Sequence, residues 1–280
     1  MKQLSEDTFE LFIFQILHND ILDLREVNFF DPYGIVGVLE AGRFLKSKGI
    51  KRSLLLPESE EVLKYLERMD FFKYAGRYFE LKPDSPAISD KYLRSSYSDV
   101  LLETTSIEKS DDIHFIVGRV KNRAHTILER HLHYNEKAIN GFIVALSEVC
   151  QNIIEHSENT GLVGIQKYHF QNINKNVVKI AVMDLGIGFK KSLEMRFFIK
   201  DDADALEKAL LHGASRHADE GRGHGLAGVR RFVNEWNGKL SMRSGTARIS
   251  LIPSWSRGKK RESGLAYFPG AQINIMLPEV

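Results

Sequence analysis

The chain has 280 residues, of which 43% are hydrophobic and 27% charged, so it has room for one large domain or two of ordinary size. This composition excludes a disordered chain, a collagen-like repeat and a coiled-coil rod. The 39 Lys and Arg residues nearly balance the 37 Asp and Glu residues, and the net charge of +2 gives no reason to expect nucleic acid as a partner.

Cysteine usage and hydropathy limit the compartment and the chemistry. The single cysteine, Cys150, excludes an internal disulfide framework and a cysteine-rich zinc site. No apolar run reaches the roughly 18 residues that a membrane span needs, and the first residues lack the pattern of a secretory signal. We therefore expect a cytoplasmic protein that does not enter the membrane.

The first eighty residues alternate between strand and helix signals. Short apolar runs at 21–24 and 53–56 predict buried strands. Asp31 followed by Pro32 predicts the start of a helix, and Ser59 predicts the start of another. This alternation indicates a small α/β domain, which we place at residues 1–82.

Proline, serine and threonine are dense between residues 82 and 110, so we predict a linker over 83–109 and a second domain over 110–280. In the second domain, apolar periodicity predicts a helix over 111–131 and a longer one from the cap Asn135 to about His156. Residues 164–170 and 177–183 predict a strand hairpin, and residues 222–236 predict a third helix. Three more strands are predicted at 239–243, 246–252 and 271–277. Helices with a largely antiparallel sheet indicate the α+β class.

Three motifs in this domain can carry chemistry. On the long helix, Glu148 and Asn152 lie about 40° apart, on the face opposite the apolar stripe. A carboxylate can activate water and an amide oxygen suits Mg²⁺. By themselves, the two residues also fit an ordinary solvated helix face.

The second motif follows an apolar strand, where Asp184 is succeeded by Gly186 and Gly188. The carboxylate can accept a hydrogen bond from an amine, and the glycines allow a flat ligand to approach the backbone. A strand that leaves through a glycine turn is the simpler alternative.

The third motif, Gly221-Arg-Gly-His-Gly-Leu-Ala-Gly-Val, opens an amphipathic helix. Free N–H groups at such a helix start can bind phosphate. The segment is neither a Walker A loop nor a convincing dinucleotide fingerprint, because no Gly-Lys-Ser/Thr and no βαβ unit accompany it.

The order of these three motifs resembles that of the gyrase, chaperone, histidine-kinase and mismatch-repair (GHKL) ATPase superfamily, over roughly 110–280. Phe268-Pro-Gly-Ala-Gln-Ile-Asn-Ile-Met-Leu-Pro resembles that family's last strand. The resemblance implies a two-layer Bergerat-type sandwich with helices on one face of the sheet. It also implies ATP and Mg²⁺ as ligands.

The resemblance assigns roles by position. Glu148 would activate the attacking water, Asn152 would coordinate Mg²⁺, and Asp184 would bind the adenine amine. The remaining ATP-binding positions would shape the wall beside the base or line the phosphates; they are Gly186, Gly188, Gly221, Arg222, Gly223, His224, Gly225 and Leu226. Residues 190–220 would form a lid over the nucleotide, from which Arg216, His217 or Arg222 could reach the γ-phosphate.

Two departures from the pattern of sensor histidine kinases and STAS domains indicate which branch of the superfamily the chain resembles. The histidines at 114–133 lack the His-Glu-x-x-x-Pro-like sequence of sensor kinases, and the short Glu–Asn helix looks more like the anti-sigma-factor serine kinases. Residues 11–74 resemble STAS domains of anti-sigma-factor antagonists, but Pro32 and Tyr33 stand where that family has a phosphorylated serine. We therefore expect a docking or regulatory STAS-like domain, with an unrelated small α/β domain as the alternative.

These signals predict a regulatory protein that binds Mg·ATP, an ATPase switch whose lid and N-terminal domain respond to the nucleotide. A protein serine/threonine kinase acting on a separate partner is one alternative. A nucleotide-gated interaction module without hydrolysis is the other. A protein partner is expected, a homodimer is one option, and nucleic acid and membrane are not expected.

Overall fold

The computed structural model describes residues 1–83, 99–157, 159–215 and 225–280, and its strands form three sheets. The strands are β1 (Gln3–Leu4), β2 (Ile21–Asp23), β3 (Phe29–Phe30), β4 (Arg52–Leu55), β5 (Phe79–Lys82), β6 (Val100–Ile107), β7 (Gly161–Phe170), β8 (Lys175–Asp184), β9 (Lys239–Leu251) and β10 (Arg261–Pro278). The helices are α1 (Phe9–His18), α2 (Pro32–Ser47), α3 (Glu60–Arg68), α4 (Phe71–Tyr78), α5 (Ser110–Ala124), α6 (Arg130–Leu132), α7 (Glu136–Asn152), α8 (Gly188–Glu194), α9 (Asp202–Leu211) and α10 (Gly225–Glu235). In this described part of the chain, no helix is long and apolar enough to cross a membrane.

A five-stranded antiparallel sheet, in the order β6-β7-β8-β10-β9, forms the centre of the C-terminal half. The predicted hairpin is β7 with β8, paired from Gly161 opposite Asp184 to Phe170 opposite Lys175. One face of the sheet is covered by α5, α7 and α10 around a shared apolar core. This arrangement is the predicted α+β fold of Bergerat type.

Strand β6 corrects part of the expected linker. Residues 100–107 pair with β7 and form an edge strand of the sheet, although the density of serine and threonine predicted a linker there. The physical reason is that threonine is β-branched and favours extended backbone, and the leucines beside Thr104 and Thr105 are buried. The expected boundaries of the two domains otherwise stay a prediction.

The N-terminal half is built around α2. The Asp31 carboxylate caps this helix by accepting a hydrogen bond from the Gly34 N–H at 2.9 Å, as the sequence predicts. Two parallel sheets, β2-β4-β5 and β1-β3, accompany it. A side chain at Gly37 would collide with the Phe9 ring, 2.4 Å from the position of its Cβ, so the close packing of α2 against α1 requires glycine there.

Helix α2 packs on the second face of the five-stranded sheet, against β7 and β8. One apolar core joins the two halves, because Leu162, Ala181, Met183 and Phe268 of the sheet pack with the N-terminal residues. Phe9 lies edge-on to Phe268, with 5.7 Å between the ring centroids. The sheet is therefore covered on both faces, by its own helices on one and by the N-terminal half on the other.

Among the described residues, three ion pairs cross this contact, and in each one an acid of the N-terminal half holds a base of the sheet. They are Asp31 with Lys179 at 2.8 Å, Glu6 with Lys239 at 2.9 Å, and Glu10 with Arg243 at 2.7 Å. The three basic side chains are almost completely buried. Because a buried charge is costly unless it is paired, these interface ion pairs fix how the two halves dock.

We predict that Glu6→Ala lowers the free energy of unfolding by about 3–5 kcal/mol, because Lys239 would be left as a buried charge without its partner. The measurement is chemical denaturation followed by circular dichroism. The control is Glu60→Ala, which removes the acid of an exposed pair with Lys64 and should change stability little. Equal effects of the two variants would contradict the role of the interface ion pairs.

Candidate functional site

The acid–amide pair lies on α7 at the predicted spacing. Asn135 caps the helix by accepting a hydrogen bond from the Ala138 N–H at 2.9 Å, and the apolar face packs into the core. Glu148 and Asn152 are both half-buried on this helix. The Asn152 Nδ2 atom is buried and has no hydrogen-bond partner among the described residues. This amide is therefore not committed to the fold.

A single π-helical turn, Ile153–Ser157, continues α7 and contacts the second motif in space. The Ser157 carbonyl accepts a hydrogen bond from the Ile187 N–H at 3.0 Å. The position of a Cβ at Gly186 would lie 2.1 Å from the same carbonyl oxygen. This contact brings the turn that follows Asn152 against the glycine segment that follows Asp184, as the predicted site requires.

Asp184 is the last residue of β8, and its carboxylate is buried. Its Oδ1 atom accepts a hydrogen bond from the Gly186 N–H at 2.7 Å. Burial raises the pKa of Asp184 to about 7, while the N–H groups of Gly186 and Ala271 and the nearby Arg43 guanidinium oppose the shift. A carboxylate can accept a hydrogen bond from a bound amine.

Gly188, which begins α8, has a positive φ of 73°, and its Cβ position lies 2.8 Å from the Ser244 hydroxyl. That hydroxyl donates to the Gly270 carbonyl at 2.6 Å and accepts from the Phe189 N–H at 3.2 Å. The second motif is thereby tied to both β9 and β10, and both of its glycines meet a close neighbour.

The expected lid, 190–220, is largely folded as far as it is described. Helices α8 and α9 occupy most of 188–211, and Leu193, Ala205 and Ala209 of these helices form a small apolar core with Ile199 of the connection between them. Asp202 holds α9 to β9 by accepting hydrogen bonds from the N–H and hydroxyl of Thr246. The apolar residues of this segment bury against each other, and its role as a lid over the nucleotide stays a prediction. Residues 216–220 lie outside the described part.

The third motif is described only at its end. Gly225 is the first residue of α10, with a φ of 34°, and Leu226 is half-buried against the core. Four predicted phosphate-binding residues, Gly221, Arg222, Gly223 and His224, lie outside the described residues, as do Arg216 and His217. Their roles stay predictions.

Sequence reasoning missed two charged residues behind the second motif. Glu40 of α2 is fully buried, and the Arg43 guanidinium donates to its Oε1 at 2.9 Å. Burial raises the pKa of Glu40 to about 8, against the effect of Arg43 and in the same direction as the charge of Asp184. The available signal was a lone carboxylate in an otherwise apolar stretch of helix.

A third missed residue is Gly270, where β10 passes Asp184. It has a φ of 74°, and its Cβ position would lie 2.1 Å from the Asp184 carbonyl oxygen and 2.7 Å from Oδ1. Only glycine fits there, so β10 fixes the backbone that carries the carboxylate. The sequence shows the Pro-Gly pair at 269–270, but it does not show that Gly270 lies against Asp184.

Comparison with known proteins finds a family model that matches part of the chain. Residues 139–266 match the family model described as "Histidine kinase-, DNA gyrase B-, and HSP90-like ATPase". This match supports a domain of the GHKL type over residues 139–266, as the order of the three motifs predicts. The matched range includes Glu148, Asn152 and Asp184, and β10 continues beyond it.

Among solved structures, the chain is similar to a histidine kinase domain from the blue-light activated histidine kinase of Erythrobacter litoralis EL346. The identity is 11%, the TM-score is 0.30, and the match covers 98% of this chain and 93% of that one. A similarity of this size is too weak to assign a role to this chain. No curated protein gives a significant match.

We predict that Gly270→Ala lowers the melting temperature and weakens ATP binding, because the new methyl group collides with Asp184. The matched control is Gly264→Ala: its φ is 73°, but no atom lies within 4 Å of its Cβ position. Both variants carry the same backbone strain of about 1–2 kcal/mol, so the difference between them measures the contact. Identical calorimetric titrations with ATP would refute the role of Gly270.

Proposed function

We propose that the chain binds Mg·ATP between the end of α7, the end of β8 and the start of α10, and that it acts as a nucleotide-dependent regulatory switch. The observation that carries the proposal is the buried Asp184 carboxylate, which lies beside Gly186 and is joined to the turn after Asn152. It lies within the matched ATPase domain.

In this proposal, the base binds at the second motif. Asp184 accepts a hydrogen bond from the adenine amine, and Gly186 and Gly188 form the wall beside the ring. The phosphates would lie at the start of α10, beside Gly225. Gly221, Gly223 and His224, which lie outside the described residues, would complete the phosphate site, with backbone N–H groups of His224 and Leu226 as donors.

The residues of α7 fit a magnesium ion and an attacking water. An amide oxygen is a ligand that Mg²⁺ accepts, and no described partner holds the Nδ2 atom of the Asn152 amide and so fixes the direction of its oxygen. Bound Mg²⁺ would neutralise charge on the phosphates. Glu148, one turn earlier and half-buried, would take a proton from the water that attacks the γ-phosphate.

The regulatory part of the proposal rests on the contact between the N-terminal half and the sheet. The N-terminal half covers the sheet that carries Asp184, through a shared core and the interface ion pairs. A protein partner, or a second copy of the chain, that binds this half would act on the nucleotide site. The likeness of the half to STAS domains, and the anti-sigma-factor branch, stay predictions.

Three outcomes separate the candidate functions. Titration calorimetry with ATP and Mg²⁺, followed by phosphate release from the same sample, tests binding and hydrolysis. Radiolabelled γ-phosphate on a partner protein would favour a serine/threonine kinase. Tight binding without turnover would favour a nucleotide-gated interaction module. The presence of Glu148 favours hydrolysis, because a pure binding module does not need it.

We predict that ATP affinity rises with pH through about 7, because Asp184 must be ionised to accept hydrogen bonds with both oxygens. Below that pH, the affinity should fall about tenfold per unit, since binding then releases a proton. Asp184→Asn should weaken binding by about ten- to a hundredfold and remove this pH dependence. Titrations between pH 5.5 and 8.5 test both; unchanged affinity in the variant would exclude the adenine contact.

We predict that Glu148→Ala retains ATP binding and loses turnover by about a hundredfold or more, because proton transfer from water is removed. The control is Glu136→Ala, an exposed acid in the first turn of the same helix. Affinity is measured by calorimetry and turnover by phosphate release. Full hydrolysis by Glu148→Ala would reject its role in water activation.

A further inference from the structure

We infer that Arg43 of the N-terminal half is a positioning residue for the adenine-binding segment, so that α2 is part of the nucleotide site. The inference rests on the proposed function and adds a regulatory element to it. Arg43 does not belong to any of the three motifs, and it lies outside the matched range 139–266. The inference rests on contacts that join α2 to the segment between β7 and the turn after Asn152.

The Arg43 guanidinium reaches across the interface between the two halves. Its Nη2 atom donates to the Asn159 side-chain Oδ1 and to the Thr160 carbonyl, each at 3.0 Å. Its Nη1 atom donates to the buried Glu40 carboxylate at 2.9 Å. One cation of the N-terminal half therefore holds two consecutive residues of the ATPase domain, with its own direction fixed by Glu40.

The two residues that Arg43 holds are bound in turn to the second motif. The Asn159 Nδ2 atom donates to the Leu185 carbonyl at 3.3 Å, next to Asp184. The Asn159 N–H donates to the Ser157 hydroxyl at 3.0 Å, and the Ser157 carbonyl packs on Gly186. Gly161, which follows Thr160 in the chain, is paired with Asp184 in the sheet. Asn159 thus transmits the position of Arg43 to both sides of Asp184.

Charge gives Arg43 a second effect on the same carboxylate. Arg43 lowers the pKa of Asp184 against the effect of burial, and the titratable Glu40 of α2 faces the same carboxylate, whose charge raises the pKa of Glu40. A cation behind the carboxylate favours the ionised form, which is the form that accepts hydrogen bonds from an amine. Removing the cation should therefore change both the geometry and the protonation of the site.

This arrangement couples the docking of the N-terminal half to the nucleotide. If α2 moves on the sheet, Arg43 leaves Asn159 and Thr160, and the segment around Asp184 loses its support. By linkage, ATP binding must favour the docked position of α2 by the same factor. A partner that displaces the N-terminal half would therefore lower ATP affinity.

The test compares Arg43→Ala with Arg52→Ala, a matched control. Arg52 also donates from its guanidinium to two carbonyls, those of Ile16 and Asn19, but both lie in the N-terminal half. Both variants remove contacts of the same kind, and only one removes a contact to the ATPase domain. Calorimetry with Mg·ATP at several pH values gives the affinity, and thermal melting gives the stability.

We expect Arg43→Ala to weaken ATP binding about tenfold, within the usual range of coupling between sites, and to move the pH midpoint of binding upwards. Arg52→Ala should lower stability and leave both quantities unchanged. Asn159→Ala, at an exposed position, should weaken binding in the same direction. Because Arg43 acts through Asn159, the double variant should bind ATP more tightly than additive effects predict.

The outcomes separate this inference from the proposed function. If the wild-type chain does not bind ATP, the proposed function fails. If the wild type binds and Arg43→Ala matches Arg52→Ala in affinity and pH midpoint, only the inference is overturned. If Arg43→Ala is too unstable to assay, Asn159→Ala decides: wild-type affinity in that variant overturns the inference.

Discussion

The docking of α2 on the second face of the five-stranded sheet is the constraint on which the rest of the structure depends. The face that α2 covers carries buried Lys179, Lys239 and Arg243, and each of them has its acid on the N-terminal half. Buried charges tolerate little displacement of their partners. The ion pairs therefore fix the position of the N-terminal half more closely than the apolar core alone would.

The candidate site lies at the end of the same sheet. β8 carries Lys179, which binds the N-terminal half, and ends at Asp184, which faces the nucleotide in the proposed function. Gly270 of β10 and the turn after α7 close on the same point. The carboxylate accepts hydrogen bonds from the backbone N–H groups of Gly186 and Ala271. In the proposed function, regulation and nucleotide binding share this sheet.

A structural feature was predictable from the sequence when the residues that form it lie close together along the chain. Asp31, Ser59 and Asn135 were predicted as helix caps because the cap and the N–H it accepts from are three residues apart, and all three are confirmed. The strand at 100–107 was missed because a polar edge strand and a linker have similar composition. The folding of α8 and α9 was missed because their small apolar core is shared between two short helices.

The three motifs, their order and the starts of the helices in residues 110–280 can be read from the amino-acid sequence. Those signals arise within a few residues or from the periodicity of one element. Only the tertiary structure decided that the N-terminal half covers the sheet, that Glu40 and Arg43 stand behind Asp184, and that Gly270 passes it. These contacts join residues that are far apart along the chain or that lie on adjacent strands. The stretch of sequence around either residue does not show which distant residue it contacts.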